Sequence, residues 1–445
     1  MVDPKSRMRV VLAFVVVASY ICAAQADEVT YWNNVALDIL KETATHPPKV
    51  GRDLAIMHSA MYDALNAIDR THAPLFFEPS VTGAASEESA IAAAAHRALA
   101  KLYPAYQSQL DAMLSERLAS IPDGTAKTNG VALGRAVADS MLALRASDGS
   151  NRSVSYEGST EPGKWRPTPP AYKPATAPQW GDVTPFRIPR ADDFRPDPPP
   201  ALTSPQYAAG VEGTKLLGRS DSTVRTAEQT QIAHFWADSP GPTASPVGKW
   251  NLIAQTLAAQ QGNTLAENAR MFALLDVTMA DAGIVCWDTK YTYGLWRPED
   301  AIRLADTDGN PATVADPTWT PLLISPAFPE YTSGHSTFSA SAAEILAMFF
   351  GTDQISFETT AGFDVLPGVT RSYDSLSEAA MEAGLSRIYG GIHFDFSNIA
   401  GRECGQSVAD YIFATSAQVV PVPGSSILVL IGAACLLRAG RALRG

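Results

Sequence analysis

The chain has 445 residues, a formal net charge of −12 and a pI near 5.1. Its length allows two or three domain-sized cores or one large helical body, and its acidic balance argues against a nucleic-acid partner, because a polyanion is repelled at a distance. No Cys/His cluster has zinc spacing and no acidic loop resembles a calcium site.

At the N-terminus, Lys5, Arg7 and Arg9 precede an apolar run from Val10 to Cys22, and Ala24-Gln25-Ala26 offers a small-x-small cleavage site, so residues 1–26 read as a secretory signal peptide. Ala-rich stretches with helix-like apolar spacing follow over roughly 35–68, 86–119 and 128–146, giving an N-terminal helical region at 27–149. From 150 to 205 the texture changes. Trp165-Arg166-Pro167-Thr168-Pro169-Pro170 and Pro196-Asp197-Pro198-Pro199-Pro200 cannot continue a helix, so this segment is a Pro-rich irregular connector, expected to wrap the body and form part of a pocket rim. Helical periodicity resumes at roughly 226–238, 248–261, 264–297, 334–350, 375–389 and 398–414, within a second helical region at 206–416. Strand-like alternation is scarce, and the expected fold class is all-α, built of helical bundles.

The last segment, 417–445, carries Val420-Pro421-Val422-Pro423-Gly424, an apolar run from Ile427 to Leu437, and Arg438, Arg441 and Arg444. It is similar to bacterial PEP-type sorting tails, with Val422 where Glu is usual. That similarity implies a Gram-negative cell, an exported body (periplasmic, cell-surface or secreted) and transient membrane association through the tail. Cys22 leaves with the signal and Cys435 belongs to the tail, so Cys286 and Cys404 are the body's two thiols, which an exported protein can pair.

Three stretches in the last third of the chain place cations and imidazoles at spacings suited to gripping a tetrahedral oxyanion. They are Lys290 to Arg297-Pro298, Ser333-Gly334-His335, and Ser386-Arg387 to His393. A helix turns about 100° per residue, so Lys290 and Arg297, seven apart, return to nearly one face of a continuous helix. Arg387 and His393 would lie on different faces of an unbroken helix, but Gly390-Gly391 between them permits a turn that swings His393 back. Ser333-Gly334-His335 precedes a small, apolar helical stretch, and free N–H groups at a helix N-terminus favour an anion.

These stretches resemble the signature of the vanadium-dependent haloperoxidase and type 2 phosphatidic acid phosphatase superfamily, Lys-x6-Arg-Pro, Ser-Gly-His and Ser-Arg-x5-His. Asp281 to Lys290 and Phe328 to His335 look more like the vanadium chloroperoxidase branch than the phosphatases, and Asn33-Asn34 with His58 to Ile68 resemble its bacterial N-terminal helices. The resemblance implies that Lys290, Arg297, Arg387, Ser333 and Gly334 bind the oxygens of vanadate, or of phosphate in a phosphatase. His393 would be the apical group, bonded to vanadium or attacking phosphorus, and His335 the acid–base residue. Trp287 and Phe328 would line the halide side of the pocket, Phe328 leaning toward chloride competence. Many phosphatases place Asp four residues after the third-motif His; here that position is Ser397, and Asp395 is the nearest carboxylate in sequence. The expected activity is oxidation of halide by hydrogen peroxide to hypohalous acid, for transfer to a small organic acceptor, with phosphomonoester hydrolysis through a phosphohistidine as the alternative and a non-catalytic envelope protein as a third. Oligomeric state is not legible.

Overall fold

A computed structural model describes residues 27–361 and 366–416. The expected signal peptide and sorting tail lie outside the described residues. Helices dominate: α1 (Glu28–Glu42), α2 (Pro47–Asp69), α3 (Glu87–Leu102), α4 (Gln107–Ala119), α5 (Thr125–Arg145), α6 (Pro205–Leu217), α7 (Ala227–Phe235), α8 (Ser245–Gln261), α9 (Leu265–Tyr293), α10 (Pro298–Arg303) and α11 (Gly334–Phe350). After β1 (Phe357–Thr360) and β2 (Thr370–Tyr373), a small antiparallel pair, come α12 (Leu376–Tyr389) and α13 (Asp395–Ser416). The hairpin and the short helices α6 and α10 were not foreseen from periodicity. Among the described residues, no helix is long and apolar enough to cross a membrane.

Two stretches read as continuous are broken, each for a local reason. The 35–68 stretch splits because His46 caps α2 and Pro47 and Pro48 open it, and proline cannot continue a preceding helix. The 86–119 stretch splits at Pro104, between α3 and α4.

The packing is bundle-like. In the first half α3 lies between α2 and α5; in the second, α11 is surrounded by α9, α12 and α13. Helix α9 joins the halves by packing against both α2 and α11. Its buried Asp276 accepts from His58 of α2 at 2.5 Å and from Asn251 of α8 at 2.8 Å. Close approach of α13 to α11 depends on space: a Cβ on Gly405 would sit 2.3 Å from the Thr337 carbonyl oxygen.

The 150–205 connector wraps α9 and is fixed by particular bonds. Buried Asp281 accepts backbone N–H groups of Phe186, Arg187 and Ile188 at 2.6–3.0 Å, and the Thr176 carbonyl accepts from Trp287 and Tyr291 on α9. A buried carboxylate meeting three backbone donors settles chain that has no ladder of its own.

Candidate active site

Helix α9 ends at Tyr293 because Gly294 adopts a left-handed conformation (φ 62°). Lys290 and Arg297 therefore do not share one helix, contrary to the spacing argument: Lys290 stands in the last turn of α9 and Arg297 is the N-cap residue of α10. Both side chains are nevertheless fully buried and point toward the same loop, 328–332. Lys290 Nζ donates to the carbonyls of Pro329 and Glu330 at 3.1 and 3.0 Å and to that of Thr332. Its three N–H bonds are thus spent on holding the loop that leads into Ser333, a role the sequence did not disclose. Arg297 donates from Nε to the Phe328 carbonyl at 2.9 Å and from Nη1 to the Ile392 carbonyl at 2.9 Å and His393 Nε2 at 3.1 Å.

Ser333 caps α11, its hydroxyl oxygen accepting from Ser336 N–H and Ser336 Oγ. Gly334 and His335 open the helix, as expected, where backbone N–H groups lack intrahelical partners. At the other end, α12 ends at Tyr389 and Gly391 takes φ 76°, with its backbone against Gly218: a Cβ there would meet the Gly218 carbonyl oxygen at 2.4 Å. This left-handed turn reverses the chain so that His393 faces Arg297. Phe394 and Phe396, which follow His393, pack with Tyr207, Trp296 and Trp319 and hold the segment down.

His393 is oriented by Glu330, not by Asp395, which is exposed at the start of α13. Glu330 Oε1 lies 2.8 Å from His393 Nδ1 and accepts the Phe394 N–H at 3.0 Å. An oxygen already accepting one N–H accepts the second from Nδ1–H, which leaves Nε2 unprotonated, with its lone pair accepting from Arg297 Nη1. Ser397, at the position where many phosphatases carry Asp, is buried, and its carbonyl accepts from Ser333 N–H.

Burial governs the ionisation of the site. It pushes the His393 imidazole well below the usual range, helped by the charges of Arg297, Lys290 and Arg387. His335 is lowered likewise, by burial and then by Arg387 and Lys249. Both imidazoles are therefore neutral at neutral pH. Arg297 and Arg387 are lowered by burial to about 10 and remain cationic. Burial lowers Lys290 and raises Glu330.

His335, His393, Arg387 and Gly334 line one cavity of about 690 Å³, with Trp287 and Phe328 on its wall; the two imidazoles share a single space. The Trp287 and Phe328 rings lie 5.0 Å apart, and Lys290 Nζ stands 5.0 Å from the Phe328 centroid. Arg387 Nη1 donates to the Trp236 carbonyl at 2.7 Å. Buried donor or lone-pair atoms are left without partners here: Arg297 Nη2, Arg387 Nε and His335 Nε2. Orphans of this kind are costly unless a ligand meets them, at about 1–3 kcal/mol each. The Arg387 guanidinium and a neutral imidazole on one cavity, with Arg297 bonded to His393 beside it, suit a small, oxygen-rich anion.

Comparison with known proteins points the same way. Residues 270–421 match the family model of the VCPO second helical-bundle domain. Vanadium chloroperoxidase of Curvularia inaequalis is 26% identical over 491 residues, covering 84% of this chain and 80% of that protein. A bacterial vanadium-dependent iodoperoxidase superposes with a TM-score of 0.77 at 27% identity, over 89% of this chain and 97% of the other. The chain is a relative of the vanadium haloperoxidases. A bacterial vanadium-dependent chloroperoxidase, at 16% identity and a TM-score of 0.69 over 88% of this chain and 97% of its own, shares the haloperoxidase fold. Cys286 and Cys404, both buried in this relative, are free thiols.

Proposed function

We propose that this chain is a vanadate-dependent haloperoxidase that oxidises halide with hydrogen peroxide to hypohalous acid. The observation that carries the reading is the buried His393 imidazole, fixed from behind by Glu330 and beside Arg297, whose Nη1 donates to its Nε2, on a cavity that His335 and Arg387 also line. Those residues fit vanadate: His393 would hold its metal atom, while Arg297 Nη2, Arg387 Nε, the Ser333 hydroxyl and the Gly334 N–H would hold its oxygens. When bound, vanadate supplies a Lewis-acid centre that turns peroxide into a two-electron oxidant of halide.

The protein's own work is positioning, proton handling and exclusion of water. Glu330 keeps the imidazole in the Nδ1–H tautomer, so that Nε2 remains available without a proton being lost first. His335, neutral and with Nε2 unpartnered, can take the proton that peroxide loses and return it to the oxygen that leaves. Lys290 acts through its charge and by fixing residues 329–332, which seat Ser333. Trp287 and Phe328 give the halide a dry wall. The expected sites of work, outside the cytoplasm and with passing membrane contact, rest on residues 1–26 and 417–445.

The test is halogenation of monochlorodimedone by the purified protein with orthovanadate, peroxide and bromide. Activity that requires vanadate and is lost on adding phosphate supports the reading. A second reading draws on the same Glu330 contact, because a carboxylate-oriented imidazole is also a competent nucleophile toward phosphorus. Turnover of a chromogenic phosphomonoester, inhibited by vanadate, without halogenation would establish that one instead.

A further inference from the structure

We propose that Trp236 is a positioning residue for the oxyanion site: its carbonyl sets Arg387 and His335 together, and its indole ties that carbonyl to the β1–β2 hairpin. The part that concerns His335 rests on the haloperoxidase reading. The part that concerns Arg387 rests only on an oxyanion being bound.

The carbonyl comes first. Trp236 is the C-cap residue of α7, and the carbonyls of a helix's last turn have no partner within it and carry the negative end of its dipole. Arg387 Nη1 donates to this oxygen at 2.7 Å, and the His335 ring meets it in a second hydrogen bond. His335 Nε2 has no partner, so the donor is Nδ1–H and Nε2 keeps its lone pair. One backbone oxygen therefore decides both where the Arg387 guanidinium lies and which tautomer His335 adopts.

A carbonyl can do this only if it is itself held. The Trp236 indole is fully buried, and its Nε1 donates to Glu382 Oε1 at 3.0 Å. That carboxylate is met on every side: Oε1 also accepts from Arg371 Nε at 2.7 Å and from Tyr373 Oη at 2.6 Å, and Oε2 accepts from Arg371 Nη2 at 2.7 Å. Arg371 and Tyr373 belong to β2, whereas Glu382 stands on α12 with Arg387. Trp236 thus grips α12 at two points, by its ring and by its carbonyl. Packing adds to the hold, with Trp250 stacked at 6.4 Å, Tyr373 at 6.2 Å and Lys249 Nζ 4.5 Å from the ring centroid. Ring contacts alone are weakly directional, and the bond to Glu382 fixes the ring within its plane. The hairpin so acquires a part in the site although none of its described residues lines the cavity.

The experiment measures phosphate and vanadate binding to the full chain by calorimetry, and bromide oxidation with vanadate and peroxide. Trp236→Phe removes the indole N–H and keeps the carbonyl. Expected is roughly tenfold weaker binding of both anions, the effect of one lost hydrogen bond, with their ratio unchanged because Arg387 does not distinguish them. Turnover should fall by roughly 10- to 100-fold with KM for bromide unaltered, since His335 is displaced from its line of proton transfer. Glu382→Leu should do the same, and the double variant should be no worse than the worse single, because both break one link. Trp250→Phe removes as much ring from the same stack, but its indole donates to Ser339 at 2.8 Å, so it should lose stability alone. Should Trp236→Phe fail to fold, Glu382→Leu decides by the same readings. Native affinity and turnover, losses that add in the double variant, or fewer binding sites at native affinity would each overturn the proposal. Failure of the native protein to oxidise bromide would overturn the haloperoxidase reading instead, and the phosphate measurements would still test the hold on Arg387.

Discussion

Replacing Glu330 by Gln keeps the shape of the side chain and removes its charge. The carboxamide oxygen of the variant can still accept from His393 Nδ1 and Phe394 N–H, the two bonds made at 2.8 and 3.0 Å in the native chain. What is lost is charge assistance. A hydrogen bond to a charged group contributes roughly 1.5–3 kcal/mol against about 1 kcal/mol for a neutral one, so His393 becomes a weaker ligand by about 1–2 kcal/mol. Removing a carboxylate also relieves its repulsion of a bound anion, at about 2 kcal/mol for a separation near 7 Å at an effective dielectric of about 20. That relief is common to phosphate and vanadate, which share shape and charge, and it cancels in their ratio. Binding of both anions to native protein and Glu330→Gln, by calorimetry, should therefore show the preference for vanadate over phosphate falling roughly 5- to 30-fold. Phosphate should bind as well as before, or more tightly. An unchanged preference would refute the claim that Glu330 acts through the His393 ligand, and equal loss for both anions would mean that the site had merely collapsed.

Other substitutions probe neighbouring parts of the account. His393→Ala should abolish vanadate retention, read by equilibrium dialysis, while leaving weak phosphate binding through the two arginines. His335→Ala should spare vanadate binding and slow halide oxidation by on the order of 10² to 10⁴; an unchanged rate would remove it from proton transfer. Gly391→Ala should destabilise the fold by at least about 1–2 kcal/mol in urea titration, because φ is 76° and the new Cβ meets the Gly218 carbonyl oxygen. His46 titrates at about 4 in the folded chain, against 6.5 as the ordinary value. Its contribution is therefore present above about pH 6.5 and fades as pH falls toward 4, by at most about 3 kcal/mol. His46→Gln should flatten that part of the stability profile between pH 7 and 4.5.

The site's cast was legible in the sequence because its chemistry demands fixed local spacings. Ser333 stands at a helix start and Gly391 makes the turn before His393, as read, and Trp287 and Phe328 lie together on the cavity wall. The relation of Lys290 to Arg297 did not, since Gly294 ends the helix that periodicity had carried through; the cations meet through tertiary folding. Glu330 was missed because its partner lies 63 residues away and nothing local marks a carboxylate as an imidazole's partner. A signal was present: a charged residue between Pro329 and Tyr331, in a stretch leading to a helix start that must be buried to hold an anion. The helical class was clear from period, whereas the β1–β2 pair was too short to register and Pro47 and Pro104 broke stretches read as continuous.

A crystal soaked in orthovanadate puts the central assignment to its most direct trial. The account requires vanadium at bonding distance from His393 Nε2, with its oxygens met by Arg297 Nη2, Arg387 Nε and the N-terminus of α11. Vanadium density remote from His393, or none at saturating vanadate, would contradict it.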